Sequence, residues 1–365
     1  MQESYLLIPI KIKPLEHEIL SSWLIRSAIV NGIDPIGFTN GIWFNYRAWT
    51  RDISRYLSSN KIKTLSEVST LSYRDVFNLT LKSVLEPILS KSELLPKKAW
   101  KWVIPIGTRN RSRTNGLYFC PLCLKDKPIF LRKEWRLSWN FSCERHKILL
   151  QLNCPQCHTV FSPHLINYNN TDITRCQNCN YSLKESLSYP SDTQATNLQS
   201  ILNNAISNKT IPTNSFPLID NTLKDFFITI RILLILFRNF TRHQNIKHIL
   251  LRELGLTHLN SYYSPTHGNT LDSISANERH FLFTVMSRLF KLSLEEVIML
   301  FRQARITKEI LATRGMPSSN TITYISSRLE SRNRKNFTTI RKKPTICVRN
   351  KESIELLMSD IRQYL

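Results

Sequence analysis

The sequence predicts a mainly α-helical protein with a small β component. Its parts are a helical amino-terminal domain with helix-turn-helix-like elements, a module of two tandem cysteine-rich ribbons, and a helical, basic carboxy-terminal domain. Two observations predict this. Apolar residues recur at helical spacing early and late in the chain, and seven of the eight cysteines fall between residues 120 and 179 in closely spaced pairs. The expected boundaries are 1–95 for the first domain, 96–185 for a basic loop and the ribbons, 186–215 for a linker, and 216–365 for the last domain.

The amino-terminal part reads as short helices. Pro14-Leu15-Glu16 is expected to open a helix whose apolar face holds Ile19, Leu20, Trp23, Leu24 and Ala28, with Asn31-Gly32 ending it and Asp34-Pro35 starting the next. Thr50 is expected to cap a short helix bearing Arg51, Asp52 and Arg55. Thr64-x-x-Glu67 and Ser72-x-x-Asp75 then repeat a capping-box pattern, as two short helices in succession would.

The cysteines carry the chemistry. Cys120-x-x-Cys123 is followed after nineteen residues by Cys143-x-x-His146, and Cys154-x-x-Cys157 after eighteen by Cys176-x-x-Cys179. A Cys-x-x-Cys turn brings two thiolates onto one metal, and a second pair completes a tetrahedron. Disulfides are disfavoured, because such closely spaced pairs form strained bridges and nothing in the sequence points to secretion. Cross-braced pairing is disfavoured by the seven residues between His146 and Cys154. The expectation is two sequential Zn²⁺ sites, in two tandem zinc ribbons: Cys120, Cys123, Cys143 and His146 on one, Cys154, Cys157, Cys176 and Cys179 on the other. Four protein ligands each make both sites closed and structural. Between the ligands, Trp135, Leu137, Trp139 and Phe141 alternate with Arg136, Ser138, Asn140 and Ser142, which predicts a strand with one buried aromatic face. His158 and His164 are expected at the surface or in packing rather than as ligands.

Upstream of the ribbons, Lys97 to Arg113 contains Lys97, Lys98, Lys101, Arg109, Arg111 and Arg113, with Trp100 and Trp102 interleaved and no acidic residue. Downstream, Ser186 to Ser215 is polar and reads as a linker with room for one short helix. Leu223 to Phe237 reads as a buried helix, interrupted by Lys224, Asp225 and Arg231 and far too short in its uncharged stretches to span a membrane. Ser275 to Phe290 and the segment opened by Ser293-x-x-Glu296 are amphipathic helices. Phe301 to Arg349 then holds twelve basic residues and two acidic ones, with Arg328, Arg332, Arg334, Lys335, Arg341, Lys342 and Lys343 crowding its end.

Charge points to a partner. Fifty Lys and Arg against 27 Asp and Glu give a formal net charge of +23, a balance that favours DNA or another polyanion. The candidate nucleic-acid residues are Arg109, Arg111 and Arg113 in the loop, which suits phosphate contacts, and the seven basic residues from Arg328 to Lys343; a solvated linker and a solvated tail are the alternative readings of the two stretches. Free thiols, zinc sites and no signal-peptide pattern in Met1 to Lys13 lead to an expected place in a reducing cytoplasm. Enzyme signatures fail: Phe38-Thr39 stands where a Walker motif needs Lys-Ser/Thr, and Ser21 stands where a zinc-protease pattern begun by His17-Glu18 needs histidine. No Gly-x-Ser-x-Gly occurs and no carboxylate cluster is recognisable, so no catalytic residue is assigned.

These residues resemble the TniQ (TnsD/TniQ) family of transposon target-selection proteins. The likeness runs through Pro14-x-Glu16-x-Glu18-Ile19-Leu20-Ser21-Ser22-Trp23-Leu24-x-Arg26, Asn31-Gly32 and Trp49-x-Arg51-Asp52-Ile53. It continues through Gly116-Leu117-Tyr118-Phe119-Cys120-Pro121-x-Cys123-Leu124, Leu131-Arg132-Lys133-x-Trp135-Arg136-Leu137, Cys143-x-x-His146, Leu149-Leu150 and Cys154-Pro155-x-Cys157. Ser162-Pro163-His164 and Thr174-Arg175-Cys176-x-x-Cys179 complete it. The resemblance implies a non-catalytic protein of a mobile element that links a target to an AAA+ regulator and a transposase. Some members bind attachment-site DNA themselves; others form homodimers on a CRISPR Cascade ribonucleoprotein, and the sequence leaves both open, with its charge favouring direct DNA contact. A zinc-dependent DNA-binding transcription regulator unconnected with transposition is the alternative from another class, and a metal-dependent nuclease a third.

Overall fold

In the computed structural model, the described residues are 8–106, 116–167, 170–212, 218–240, 244–257, 271–311 and 318–331. Cα packing divides the chain into residues 1–330 and 331–365, and all the helices and both Cys/His clusters below belong to the first unit. The architecture is mainly helical, with two Cys/His clusters inserted between a first and a second group of helices.

The first group comprises α1 (Leu20–Val30), α2 (Pro35–Ile42), α3 (Ser59–Val68), α4 (Tyr73–Asn78) and α5 (Leu81–Leu85). Leu20, Trp23, Leu24 and Ala28 of α1 meet Phe38, Ile42, Ile62, Leu65 and Val76 in one core. Helix α1 starts later than Pro14-Leu15-Glu16 predicts, because His17 sits in the left-handed region at φ 63° and Glu18 turns inward. The buried Glu18 carboxylate accepts from Leu15 N (3.0 Å), Ser22 Oγ (2.7 Å) and Arg26 Nη1 (2.6 Å). A negative charge just before a helix start complements the unpaired N–H groups there. Asn31-Gly32 ends α1, with Gly32 at φ +68°, and Asp34 caps α2 through bonds from Ile36 and Gly37 N–H.

Helices α3 and α4 pack together across the turn Ser69–Ser72, the helix-turn-helix-like element. Ser72 and Asp75 form the expected reciprocal capping box. Thr64 does not cap: it lies inside α3, where its hydroxyl bonds back to the Asn60 carbonyl at 3.0 Å, and the helix begins after Ser58. Thr50 likewise ends a 3₁₀ turn, Ala48–Thr50, rather than opening a helix.

The segment from Trp135 to Ser142 departs from the one-faced strand predicted for it. A 3₁₀ turn occupies Glu134–Arg136, and only Ser142–Cys143 pairs as β1, antiparallel to β2 (Ile148–Leu149). The polar positions Arg136, Ser138, Asn140 and Ser142 are as buried as the aromatic ones. Each bonds to a distant partner: Arg136 to Asp52, Ser138 to Asp272, Asn140 to Asn203 and Ser142 to Gln199. Alternation therefore marks two buried faces, one apolar and one hydrogen-bonded.

The polar stretch expected to link domains carries α6 (Thr193–Asn208), which packs against α9 (Ala276–Leu289). Its Ala195, Leu198, Leu202 and Ala205 are buried, a spacing diluted by Asn, Gln and Ser on the other face. Gln199 is wholly buried beside β1: its Oε1 accepts from Phe141 N (3.0 Å) and Ser142 N (3.1 Å), and its Nε2 donates to Ser142 O (3.0 Å). The remaining helices are α7 (Leu223–Phe240), α8 (Gln244–Glu253), α10 (Leu294–Gln303), α11 (Lys308–Leu311) and α12 (Asn320–Ser327). Ser293 and Glu296 form the capping box of α10. Helix α7 is buried along most of its length, and Phe227 on it meets Trp102 and Trp139 edge-on at 5.7 and 5.2 Å. Among the described residues no helix is long and apolar enough to cross a membrane.

Buried Asp272 ties these layers together. Its Oδ1 accepts from Trp102 N (2.9 Å), Ser138 Oγ (2.7 Å) and Arg231 Nη1 (2.9 Å), and its Oδ2 from Arg231 Nη2 (2.6 Å).

Candidate metal centres and nucleic-acid residues

The eight predicted ligands converge in two groups of four, one Cys120, Cys123, Cys143 and His146, the other Cys154, Cys157, Cys176 and Cys179. Within each group the ligand atoms lie within 4.8 Å of one another. In the first, His146 Nδ1 is 3.4 Å from Cys120 Sγ, 3.3 Å from Cys123 Sγ and 3.6 Å from Cys143 Sγ, and Cys123 and Cys143 Sγ are 3.5 Å apart. In the second, Cys154 and Cys179 Sγ are 3.6 Å apart, and Cys157 and Cys176 Sγ 3.5 Å. Ligands about 2.3 Å from a tetrahedral centre stand roughly 3.8 Å from each other, so both groups match a single metal ion each.

Local structure explains the convergence. The hairpin of β1 and β2 returns the chain so that Cys143 and His146 face Cys120 and Cys123. Lys147 and His158, each in the left-handed region just past a ligand pair, turn the backbone back, and their N–H groups bond to Cys143 O (2.8 Å) and Cys154 O (2.9 Å). Cys123 N–H points to Cys120 Sγ and Asn178 N–H to Cys176 Sγ, both at 3.4 Å. Such bonds stabilise thiolate.

The three thiols of the first group crowd one another, which sets their protonation. Hydrogen bonding with Cys123 and Cys143 holds the Cys120 thiol far above its ordinary range, while Cys143, accepting from Cys120 and Cys123, falls to about 2. Crowded thiols of this kind give up their protons when a divalent cation binds them. His146 presents Nδ1 to the sulfurs, and its Nε2 lies 3.3 Å from the Asp126 carboxylate. The contact is one of proximity, since that Asp126 oxygen has no hydrogen-bond partner. Asp126 also meets Arg145 at 3.1 Å. Nothing in the sequence marks Asp126 beyond its place three residues after Cys123. Four donors in each group can hold a metal ion with no open position.

His158 is exposed, and His164 is buried and stacks on Trp49 at 5.0 Å with an 11° interplanar angle. Both stand outside the ligand groups.

Of the ten candidate nucleic-acid residues, Arg328 alone lies among the described residues; Arg109, Arg111, Arg113, Arg332, Arg334, Lys335, Arg341, Lys342 and Lys343 lie outside them. Arg328 is exposed and its guanidinium sits 3.6 Å over the Tyr324 ring, while its carbonyl accepts from Arg302 Nη2 at 2.7 Å. Trp100 and Trp102, interleaved with lysines in the sequence, are buried at 3% and 2% exposure and serve packing.

The residues quoted for the family resemblance meet each other across long stretches of chain. Ile19 N–H bonds to Leu131 O (3.1 Å), Leu131 N–H to Ser22 Oγ (2.9 Å) and Lys133 N–H to His17 O (2.8 Å). Arg136 grips Asp52 with two bonds, at 3.1 and 2.6 Å, in a buried ion pair. Gly116 passes so close to the second cluster's loop that an added Cβ would overlap Val160 Cγ1 and the Phe161 carbonyl. The spaced motifs are one set of contacts joining the first helices to the first cluster. Comparison with curated proteins gives no significant match. Residues 9–150 match the TniQ family, a span that takes in α1 to α5, the first Cys/His group and both halves of the Asp52–Arg136 pair. Residues 9–150 are thus a TniQ domain, which supports membership of the TniQ family and an association with transposition.

Proposed function

We propose that the chain selects targets for transposition: it contacts target DNA and presents it to an AAA+ regulator and a transposase, cutting nothing itself. The observation that carries the reading is the TniQ domain built around a Cys/His group with four ligands and no vacancy. The metal is Zn²⁺ in both groups, since thiolate and imidazole donors in tetrahedral sets suit it. Cys120, Cys123, Cys143 and His146 hold one ion, and Cys154, Cys157, Cys176 and Cys179 the other. Their work is to fold two small loops that lack a core of their own. A site with all positions filled by protein leaves no place for activated water, which supports a non-catalytic role. The reducing cytoplasm, where such thiols stay reduced, is the matching compartment.

Direct DNA contact is favoured over binding through a Cascade ribonucleoprotein by the formal charge of +23. Trp23 is 1% exposed, and its indole bonds to Ile12 O; it belongs to the core, not to a partner surface.

The test supplies transposase, ATPase and donor DNA with and without the chain. Targeted insertion is expected only with it. Unchanged insertion frequency and target distribution would overturn the reading, and cleavage of DNA by the chain alone would move it to a nuclease.

A further inference from the structure

We infer that a cleft between the 3₁₀ turn after α2 and the segment Ala99–Ile106 is a phosphodiester-binding site for duplex DNA. This inference rests on the DNA-contact reading above and adds Arg51, Arg55 and Lys101 to its candidate residues.

The cleft has a volume of about 380 Å³, and Arg51, Arg55, Lys101 and Arg231 line it together with Asp52 and Asp272. Its two carboxylates are already matched. Asp52 takes both nitrogens of buried Arg136, and Asp272 takes both nitrogens of Arg231. Three cations remain, against one carboxylate: Lys101 Nζ lies 2.9 Å from Glu93.

Arg51 and Arg55 carry the argument. Neither has a carboxylate partner among the described residues. Arg51 is exposed, and its guanidinium stands 5.6 Å from the Tyr46 ring. Arg55 donates to neutral carbonyls, Nη1 to Lys98 O at 2.8 Å and Nη2 to Pro96 O at 3.0 Å, and packs over Trp100 at 5.5 Å. Its Nε is buried and has no hydrogen-bond partner. Carbonyls fix a guanidinium in place without cancelling its charge. Two such charges, four residues apart and held toward one cleft, repel each other until an anion enters between them. A phosphate, with several acceptor oxygens and a full negative charge, supplies what both lack.

The surroundings select a polymer over a small anion. Arg47, Lys97 and Lys98 are exposed just before the two segments that form the cleft. The backbone of Lys98 is itself bonded to Arg55, so the basic surface continues from the cleft outward. A row of cations beyond a single phosphate-sized pocket fits an anion that also continues, as a nucleic-acid backbone does.

The test is binding of the zinc-loaded full chain to a short duplex across a range of salt. The variant R51Q/K101Q removes two cations, and with Lys101 its contact to Glu93, while leaving the carbonyl-bonded Arg55 and the Asp52–Arg136 and Asp272–Arg231 pairs in place. K291Q, on the turn after α9, controls for lost charge. The slope of log affinity against log salt is expected to become shallower by about 1.8 in the double variant, at roughly 0.9 per contact. Duplex is also expected to protect Lys101 from acetylation by an amine-reactive reagent, read by mass spectrometry. Metal content and circular dichroism of the variants confirm that the fold is kept. If the parent chain binds duplex and the double variant binds with the same slope, the cleft is overturned while the DNA-contact reading stands. If the parent chain binds no duplex at low salt, that reading fails and the cleft assignment fails with it.

Discussion

Asp272→Ala tests the central joint of the molecule. The substitution removes the acceptor of four hydrogen bonds, from Trp102 N, Ser138 Oγ and both terminal nitrogens of Arg231. Two of the costs can be sized. Arg231, with an 8% exposed side chain, loses its counter-charge, and breaking a buried pair from one side costs about 3–5 kcal/mol. The Trp102 N–H is left without an acceptor in a buried position, which costs about 1–3 kcal/mol. The terms overlap, and the cleft beside Arg231 admits water to it, so the expected loss is near the lower end, about 3 kcal/mol. Urea unfolding of the zinc-loaded chain, followed by tryptophan fluorescence, measures it. With a denaturant slope of about 3 kcal/mol/M the midpoint falls by about 1 M. Asp272→Asn keeps shape and one acceptor and is expected to lose less. Arg231→Met in that background is expected to recover part of the loss, because the stranded cation is gone. A loss under about 1 kcal/mol for Asp272→Ala, or full additivity in the double variant, would refute the reasoning.

Further outcomes follow from other sites. Freshly purified chain is expected to contain one metal ion per Cys/His group, and Cys123→Ser or Cys157→Ser to lose one of them with several kcal/mol of stability; elemental analysis checks the count. Gly116→Ala is expected to cost about 1–3 kcal/mol, read as a lowered melting temperature, since its new methyl group meets a backbone carbonyl. Ser72→Ala removes the α4 cap and is expected to cost about 1 kcal/mol in the same measurement. The His17 pKa is raised, first by its hydrogen bond to Glu134, so this contact contributes stability fully below about pH 6.5 and loses it as pH rises through the raised value. His17→Asn, which tolerates the left-handed backbone there, is expected to lower the urea midpoint at acidic pH and to converge with the parent at alkaline pH.

The parts legible in the sequence are those governed by local rules. Ligand spacing predicts both Cys/His groups because a knuckle of two residues between cysteines leaves little geometric freedom. Ser72-x-x-Asp75 and Ser293-x-x-Glu296 are true capping boxes for the same reason. Thr64-x-x-Glu67 has the same pattern and is not one: the choice depends on where the chain enters α3, which Leu65 and Ile62 decide by burial in the core. The buried polar residues were illegible individually. Arg136 reads as the exposed side of a strand until Asp52, eighty-four positions earlier, is placed beside it. Helix α6 was obscured by composition, since its buried Gln199 and Thr196 look like solvent-facing residues. The basic cleft has the same character, because Arg51 and Lys101 belong to separate segments that only the fold brings together.

Gln199 bears on how this chain can assemble. Strand β1 pairs with β2 on one side, and its other side would ordinarily offer free N–H and C=O groups to any passing strand. The Gln199 amide occupies those groups as a counterfeit strand one residue long, taking the N–H of Phe141 and Ser142 and giving one to the Ser142 carbonyl. The ribbon is therefore sealed against edge-to-edge union with a second ribbon or with a partner's extended peptide. Among the described residues this edge is closed to strand pairing, and losing Gln199 would expose its N–H and C=O groups.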